Sequence, residues 1–521
     1  MQLNHQPESR VKKSLLNARV NLIFYFLMLV LSFFSRKIFL DTLGAEFTGL
    51  SGTLQNILGY LNLAELGVGI AIAFNLYKPL QEKDERTIID LLSLFGYIYR
   101  KIGIFVAIAG CVIACFLPLI FCDSGFNPTL IIFCYFSYLL SSLYGYFLNY
   151  KQILLNADQK AYIVNAYSQG AQIISTLLQM AIAYYLRSYY GVIIVQMLYG
   201  LFYCYILERK LTKEYPWLSL DVSRGKSLLK DYPNILKSTK QVFIHRLKDF
   251  FLTQSDQILI FAFVNLETVA FYGNYTMILT KLQRLVSSAL DGIGASVGNL
   301  VAEGNKSKID SVFWQLISFR YLIAGFFVYN IFVDVQPFIH HWLGDRYILD
   351  QSVVVLLLIY FFISQTRGVV DMFNNAYGHY ADVWSAWVEG LINVSVTIVA
   401  GIYLGLTGIL VGKLASVIPI IVFWKPYYLY HEGFHRSYLE YWAHTIRYLV
   451  VFVLASVLAY YMVSIFPVYS MSGWGSWIIS ASIHAIVFGT IYLTSMLIFI
   501  PSTKMVLLRI PIIKSLLDKK H

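Results

Sequence analysis

The sequence predicts an all-α polytopic membrane protein with fourteen transmembrane helices. Of 521 residues, 58% are hydrophobic and 13% charged, whereas soluble domains carry roughly 25% charged residues. Apolar runs of about 20 residues, the length that spans a bilayer, recur along the whole chain. The five cysteines show no C-x-x-C spacing, so we expect neither a disulfide framework nor a metal centre.

The fourteen helices are predicted at approximately 17–38, 47–73, 91–121, 129–150, 162–186, 191–208, 241–263, 268–299, 309–333, 351–376, 382–404, 408–428, 445–466 and 475–499. A polar stretch with two prolines separates helices six and seven. We therefore predict a first bundle at 1–208, a cytoplasmic linker at 209–240, a second bundle at 241–430, and two more helices with a basic tail at 431–521.

The charge distribution predicts the orientation. With the N-terminus in the cytoplasm, most of the 40 lysines and arginines fall on the cytoplasmic side. The cations left outside are Arg36, Lys37, Arg187 and Arg346. Both termini are expected in the cytoplasm, and the net charge of +11 then reflects orientation rather than nucleic-acid binding.

A weak internal repeat supports the two-bundle organisation. A shift of 221 residues aligns LGAEFTGLSG at 43–52 with VNLETVAFYG at 264–273, and the helix pattern superposes as well. We predict two six-helix bundles related by a pseudo-twofold axis, followed by two extra helices. In both halves a carboxylate precedes G-x-G, so Glu65 and Asp291 are predicted to occupy related positions.

Polar residues within the spans predict a charged interior, because an ionisable group at mid-membrane normally faces a cavity or a partner. Offsets of 0, +3, +7 and +10 share one helix face, and they recur in Arg246, Asp249, Thr253 and Asp256, in Lys281, Arg284, Ser288 and Asp291, and in part in Gln55, Asn62 and Glu65. Helices nine to twelve add Arg320, Arg367, Asp371, Glu389 and Lys413.

These stripes supply the candidate functional residues. Cations outnumber carboxylates on helix eight, which favours an anionic ligand. The candidate substrate-binding cations are Arg246, Lys281, Arg284, Arg320 and Arg367, and the candidate coupling carboxylates are Glu65, Asp249, Asp256, Asp291 and Asp371. The alternative is internal neutralisation, with Arg246 paired to Asp249, Arg367 paired to Asp371, and Glu65 capping a neighbouring helix or pairing with a cation.

Two motifs suggest metal binding. His431, Glu432 and His435 have the H-E-x-x-H spacing of zinc sites, but Gly433 interrupts it and Pro426 lies just upstream, so we interpret it as a cytoplasmic helix end. His340 and His341 near Asp345, in a predicted outward loop at about 334–350, could bind a metal, but loop histidines usually do not, so we expect no metal site there. No P-loop, nucleophile elbow or catalytic dyad is present, and we expect no enzyme activity.

The segment LSGTLQNILGYLNLAELGVGIAIAFNLYKPLQEKDERTI at 50–88 resembles bacterial polysaccharide flippases. These are the O-antigen and teichuronic-acid translocators of the multidrug/oligosaccharidyl-lipid/polysaccharide exporter superfamily. Further resemblance lies in SDQILI at 255–260, GNLVAEGN at 298–305 and RGVVDMFNNAYG at 367–378. The resemblance implies a V of two six-helix bundles, usually with two added helices, that works by alternating access.

The resemblance also implies a function. The substrate would be an undecaprenyl-diphosphate-linked oligosaccharide, flipped across the bacterial plasma membrane for cell-surface polysaccharide export, with H⁺ or Na⁺ as coupling ion and no other cofactor. The expected partners are membrane lipids, a polysaccharide polymerase and chain-length proteins, around a monomeric flippase. A sodium- or proton-coupled multidrug exporter of the same superfamily is the alternative. A membrane-embedded glycosyltransferase or polymerase would need a larger outward loop.

Overall fold

The computed structural model describes residues 10–65, 68–232, 256–290, 293–379, 382–464 and 473–509. Within these ranges the regular structure is helical throughout and contains no strand. The contacts divide the chain into two compact units, Met1–Ala270 and Phe271–His521. The prediction of an all-α polytopic membrane protein is confirmed.

The first unit is built from nine labelled helices. They are α1 Arg10–Leu43, α2 Ala45–Leu61, α3 Val68–Glu82, α4 Glu85–Ile120, α5 Pro128–Phe147, α6 Gln152–Ala157, α7 Ala161–Leu186, α8 Tyr189–Glu214 and α9 Gly225–Asp231. Local capping fixes several starts: Asp84 accepts a hydrogen bond from the Thr87 amide at α4, and Asn127 accepts one from the Thr129 amide at α5. Helix α9 falls within the linker predicted at 209–240, so part of that linker is helical. It packs on α4.

The helix predicted at 47–73 is not continuous. The α-helix ends at Leu61, a 3₁₀ turn covers Asn62–Glu65, and α3 begins at Val68. The Asn62 side-chain oxygen accepts hydrogen bonds from Ser142 at 2.9 Å and from Tyr146 at 3.0 Å. Non-helical backbone is tolerated at membrane depth where it is enclosed by protein, and α5 supplies that enclosure here.

Residues 256–270 pack within the first unit, and 256–263 are helical. Asn56 of α2 donates to the Gln257 side-chain oxygen at 2.6 Å. A Cβ added to Gly49 would lie only 1.9 Å from the Leu266 carbonyl oxygen, so the backbones approach closely through a small residue. The rest of predicted helix seven, 241–255, lies outside the described residues.

The remaining helices follow from residue 266 onward. They are α10 Leu266–Leu290, α11 Ile293–Glu303, α12 Lys306–Leu343, α13 Gln351–Ala376, α14 Val383–Val417, α15 Lys425–Tyr428, α16 Tyr438–Ser464, α17 Trp474–Phe499 and α18 Pro501–Arg509. The predicted loop at 334–350 is wrong over its first ten residues, because α12 continues through Pro337 to Leu343. The segment 344–350 then leads into α13.

Predicted helix eleven is the first arm of α14, and predicted helix twelve begins as its second arm and continues beyond Val417 as a π-helix and α15. Gly405 separates them with φ 55° and ψ −129°, a conformation that glycine adopts without a Cβ penalty. A Cβ at Gly408 would lie 2.0 Å from the Ala400 oxygen, and one at Gly412 would lie 2.2 Å from Thr397 Oγ1. The arms therefore run antiparallel in close contact, as an α-helical hairpin.

The H-E-x-x-H segment does not lie on an ordinary α-helix. Leu429–Phe434 is π-helical, and His435 follows it with φ 52° in the left-handed region. His431 Nδ1 lies 2.9 Å from Glu432 Oε1, while His435 Nδ1 lies 3.1 Å from the His431 carbonyl oxygen. The two imidazoles therefore do not converge on a shared position for zinc.

Nine helical segments of the described ranges are long and apolar enough to cross a membrane. One of them, Trp384–Phe434, contains both arms of the hairpin. Helix α10 is not among them, although it is 25 residues long. It carries Glu267, Lys281 and Arg284, so its polar content matches a helix that faces protein or water rather than lipid alone.

Candidate functional site

Glu65 lies inside the first unit, at the end of the 3₁₀ turn. The Tyr99 hydroxyl of α4 donates a hydrogen bond to Glu65 Oε1, and the carboxylate is half-buried. Asn62, three residues earlier, is held by Ser142 and Tyr146 of α5. The structure thus places hydroxyl groups of α4 and α5, together with the Asn62 amide, around this carboxylate, an arrangement able to hold a proton or a small hard cation.

Asp256 is the second candidate carboxylate of the first unit. It is buried and lies near Tyr60 of α2, with which it interacts electrostatically. Arg246, Asp249 and Asp291 lie outside the described residues, so the predicted stripe of helix seven and the pairing of Glu65 with Asp291 remain predictions.

Helix α10 carries the two cations of predicted helix eight. Lys281 is half-buried and Arg284 is exposed. They have an i, i+3 spacing, so they are neighbours on the helix surface. A pair of like charges on one face is unfavourable unless water or an anion compensates it, which makes this face a place where an anionic group would be stabilised.

Arg320 of α12 reaches across to α13. Its Nη1 donates to Gln365 Oε1 at 3.3 Å, and its Nη2 would lie 3.6 Å from a Cβ built on Gly368. Gly368 therefore leaves room for the guanidinium to lie against the helix backbone. This contact fixes a cation inside the second unit, between two of its spanning helices.

Arg367 lies one residue before Gly368 and is only 5% exposed. Its guanidinium carbon lies 5.2 Å from the ring centre of Tyr441 and 5.5 Å from that of Trp442, both on α16. The buried Nε and Nη1 have no hydrogen-bond partner among the described residues. The alternative pairing with Asp371, which is half-buried one turn later, is therefore not formed through these atoms.

A polar seam runs along the α14 hairpin. Its buried residues are Ser385, Glu389, Asn393 and Thr397 on the first arm and Lys413 and Ser416 on the second. Asn393 donates to Ser416 Oγ at 3.4 Å, and Lys413 Nζ lies 4.4 Å from the ring centre of Tyr360 on α13. The sequence interpretation included only Glu389 and Lys413, although the regular i, i+4 spacing of the first arm would have revealed the seam.

An ionisable pair joins α12 to α17 and was missed entirely. His484 Nδ1 lies 2.7 Å from Asp334 Oδ1, and each residue is 8% exposed. Asp334 fell at the start of the predicted outward loop, and His484 stood alone in an apolar run. The sequence offered one indication of this pair. Asp334 lies directly after one predicted span, and His484 lies inside another.

Two charged groups outside the spanning segments show how burial and partners compete. Burial lowers the pKa of Lys160, but its hydrogen bonds to Asp158 and Glu214 outweigh that effect and raise the pKa above its usual value. At the C-terminal end of α13, burial lowers the pKa of His379, whose Nδ1 lies 3.2 Å from Asn374 Oδ1. Both groups brace helix ends rather than a ligand.

Solved transporter structures share this architecture. The chain is similar to the lipid II flippase MurJ in an inward closed conformation, with a TM-score of 0.61 and 12% identity over 93% of this chain and 100% of the flippase. A multidrug resistance MATE family transporter of the MOP superfamily, in an inward-facing conformation, also matches, with a TM-score of 0.53 and 15% identity over 79% of this chain and 97% of the transporter. No protein-family model and no curated sequence matches the chain, so the likeness concerns the fold.

Proposed function

We propose that the protein is a flippase that turns an undecaprenyl-diphosphate-linked oligosaccharide from the cytoplasmic to the outer leaflet of a bacterial plasma membrane. It would act by alternating access, with both termini in the cytoplasm, and would serve cell-surface polysaccharide export. The main support is the fold match, which covers the whole of the lipid II flippase and 93% of this chain. The match to the multidrug transporter covers 79%, which makes that exporter function the second candidate.

The buried cations of the second unit supply the chemistry that the substrate requires. A diphosphate is stabilised by charge-assisted hydrogen bonds, for which a guanidinium is well suited. Arg367 has two enclosed donor atoms without a protein partner in the described ranges, and Arg320 of α12 is held nearby by its contact with α13. We assign Arg320 and Arg367 to the diphosphate, together with the α10 cations Lys281 and Arg284 and with Arg246.

The carboxylates would couple transport to an ion. Glu65 is surrounded by hydroxyl and amide groups, so binding of H⁺ or Na⁺ would change its charge without breaking an ion pair. The further coupling candidates are Asp249, Asp256, Asp291 and Asp371. A polysaccharide polymerase and chain-length proteins are the proposed partners of a monomeric flippase.

A lipid analysis of a deletion strain tests the proposal directly. Extraction and mass measurement should reveal an accumulated undecaprenyl-linked oligosaccharide that disappears when the wild-type gene is restored. Sensitivity to cationic dyes without such accumulation would instead support the multidrug exporter. Complementation with Arg320→Ala and Arg367→Ala, compared with the exposed control Lys226→Ala, then tests the cation assignment at matched protein levels.

A further inference from the structure

We propose that Asp334 and His484 form a proton-binding site that fastens the last spanning helix, α17, to α12. The site lies within the second unit and involves none of the cations assigned to the substrate. It is also independent of the proposed function, because proton binding here can be measured without any transported molecule. The ligand is a single proton shared by a carboxylate and an imidazole.

The pair lies deep within two spanning helices. Asp334 is nine residues before Leu343, the end of α12, and His484 is ten residues after Trp474, the start of α17. At about 1.5 Å per residue, these distances correspond to about 14 and 15 Å along each helix. The two side chains therefore meet at similar distances from these helix ends, within two helices that are long and apolar enough to cross a membrane.

Neighbouring side chains enclose the pair. The Trp477 indole donates to the Asp334 carbonyl oxygen at 3.3 Å, and the Tyr329 ring stacks on Phe488 with 4.0 Å between centres. Tyr329 of α12 interacts electrostatically with Asp334, and the exposed Tyr460 of α16 interacts with Tyr329. Towards the end of α12, His340 is bonded to Asp345, while the His341 ring lies against Trp474.

The chemistry of an enclosed pair favours a single bound proton. With one proton, His484 is an imidazolium that donates its Nδ1–H to the Asp334 carboxylate, and the net charge is zero. With no proton the site carries one buried negative charge, and with two it carries one positive charge. An isolated buried charge is strongly unfavourable, so the state with one shared proton is the stable one.

The consequence concerns the docking of α17. Loss of the proton would leave a bare carboxylate between two packed helices and weaken their contact. An apolar pair of similar size would hold the helices at all pH values, whereas Asp334 and His484 make the attachment depend on proton supply. Ionisable groups retained within a membrane span usually mark such a functional role.

Nitrogen-15 NMR of histidine-labelled full-length protein in lipid nanodiscs tests the site. The His484 signals are identified as those missing from the His484→Gln variant. In the wild type at pH 7 we expect an imidazolium spectrum for His484. In Asp334→Asn, which keeps an oxygen acceptor but removes the charge, we expect neutral imidazole signals at the same pH. Neutral signals in both proteins would overturn the proposal.

A second measurement covers the case in which Asp334→Asn does not fold. The melting temperature of the wild type should fall as the pH is raised from 6 to 9, and His484→Gln should lose most of that dependence. His379→Gln, which alters a histidine outside the pair, is the matched control and should keep the slope over this range. Equal slopes in the wild type and His484→Gln would contradict the proton site.

Discussion

The two units satisfy their membrane-embedded charges in different ways. In the first unit, Glu65 receives a hydroxyl hydrogen bond from Tyr99, and the adjoining Asn62 is held by two more hydroxyls. In the second unit, Arg367 and Lys413 lie against aromatic rings. A ring face attracts a cation without using its N–H groups. Under the proposed function, the second unit would bind the anionic group of the substrate, and the polar network of the first unit would bind the coupling ion.

The largest expected effects come from the tight glycines that build both units. Gly49→Val in the first unit and Gly412→Val in the second would place side-chain atoms on the Leu266 oxygen and on Thr397, respectively. Overpacking of this kind typically costs about 1–3 kcal/mol or more. We expect little folded protein by size-exclusion chromatography.

The matched control is Gly170→Ala, since a Cβ there meets nothing within 4 Å. If Gly49→Val and Gly412→Val both gave wild-type yields and melting temperatures, the close helix contacts in the two units would be incorrect.

The next effect tests the second unit as the anion-binding half. Arg367→Ala should reduce export of the lipid-linked glycan at least about tenfold, equivalent to about 1.4 kcal/mol of transition-state stabilisation. Arg367→Lys should recover only part of the activity, because an ammonium keeps the charge but loses the planar fork and the stacking on Tyr441 and Trp442. Export is measured as surface glycan per flippase molecule.

If Arg367→Ala exported as much glycan as the control Lys226→Ala at the same protein level, the second unit would not bind the anion through this arginine. Loss of export in Arg367→Ala together with loss of folded protein would show instead that the arginine holds α13 to α16.

A smaller effect tests the polar network of the first unit. Tyr99→Phe removes the hydroxyl that donates to Glu65, and an incompletely satisfied buried group costs about 1–3 kcal/mol. Glu65→Gln in the same background should restore part of this loss, because a neutral amide is less costly to leave unpaired. Thermal unfolding of the single and double variants gives the coupling between the two residues.

Additive effects of Tyr99→Phe and Glu65→Gln would mean that this hydrogen bond contributes nothing to the first unit. Tyr97→Phe serves as the control, since Tyr97 lies on the same helix two residues away and its ring lies near Lys101.

The smallest effect is a pH dependence at the C-terminal end of α13. Burial lowers the pKa of His379, so the folded protein favours the neutral imidazole. The stabilisation is therefore present above the unfolded value of about 6.5 and is lost as the pH falls through the lower folded value. His379→Gln should reduce the fall in melting temperature between pH 7 and pH 5. An unchanged slope would show that this histidine titrates freely.

The sequence predicted the parts of the fold that depend on local pattern. Predicted helix ten, 351–376, coincides with α13, because an apolar period, a polar stop and a glycine lie close together in the chain. The break at Asn62 was not predictable, since the groups that satisfy it, Ser142 and Tyr146, are about 80 residues away in sequence. The partner of Asp334 is 150 residues away, and proximity of that kind becomes visible only in the fold.

The sequence predicted which residues lie in the interior, but not which side chains they contact. Helical spacing identified Arg320 and Arg367 as interior residues, and both lie inside the second unit. It did not reveal that Arg367 stacks on the first turns of α16, because neither aromatic residue belongs to the two predicted bundles. The prediction assumed that all the polar stripes face one common cavity, so it did not consider contacts between a stripe and a neighbouring helix.

The single-residue reversal at Gly405 restricts how the α14 hairpin can move. Because the chain turns without a loop, there is no slack by which one arm could slide along the other. When the first arm tilts, the second arm must tilt with it, so Lys413 moves together with Glu389. The hairpin can therefore move its row of polar side chains only as one body.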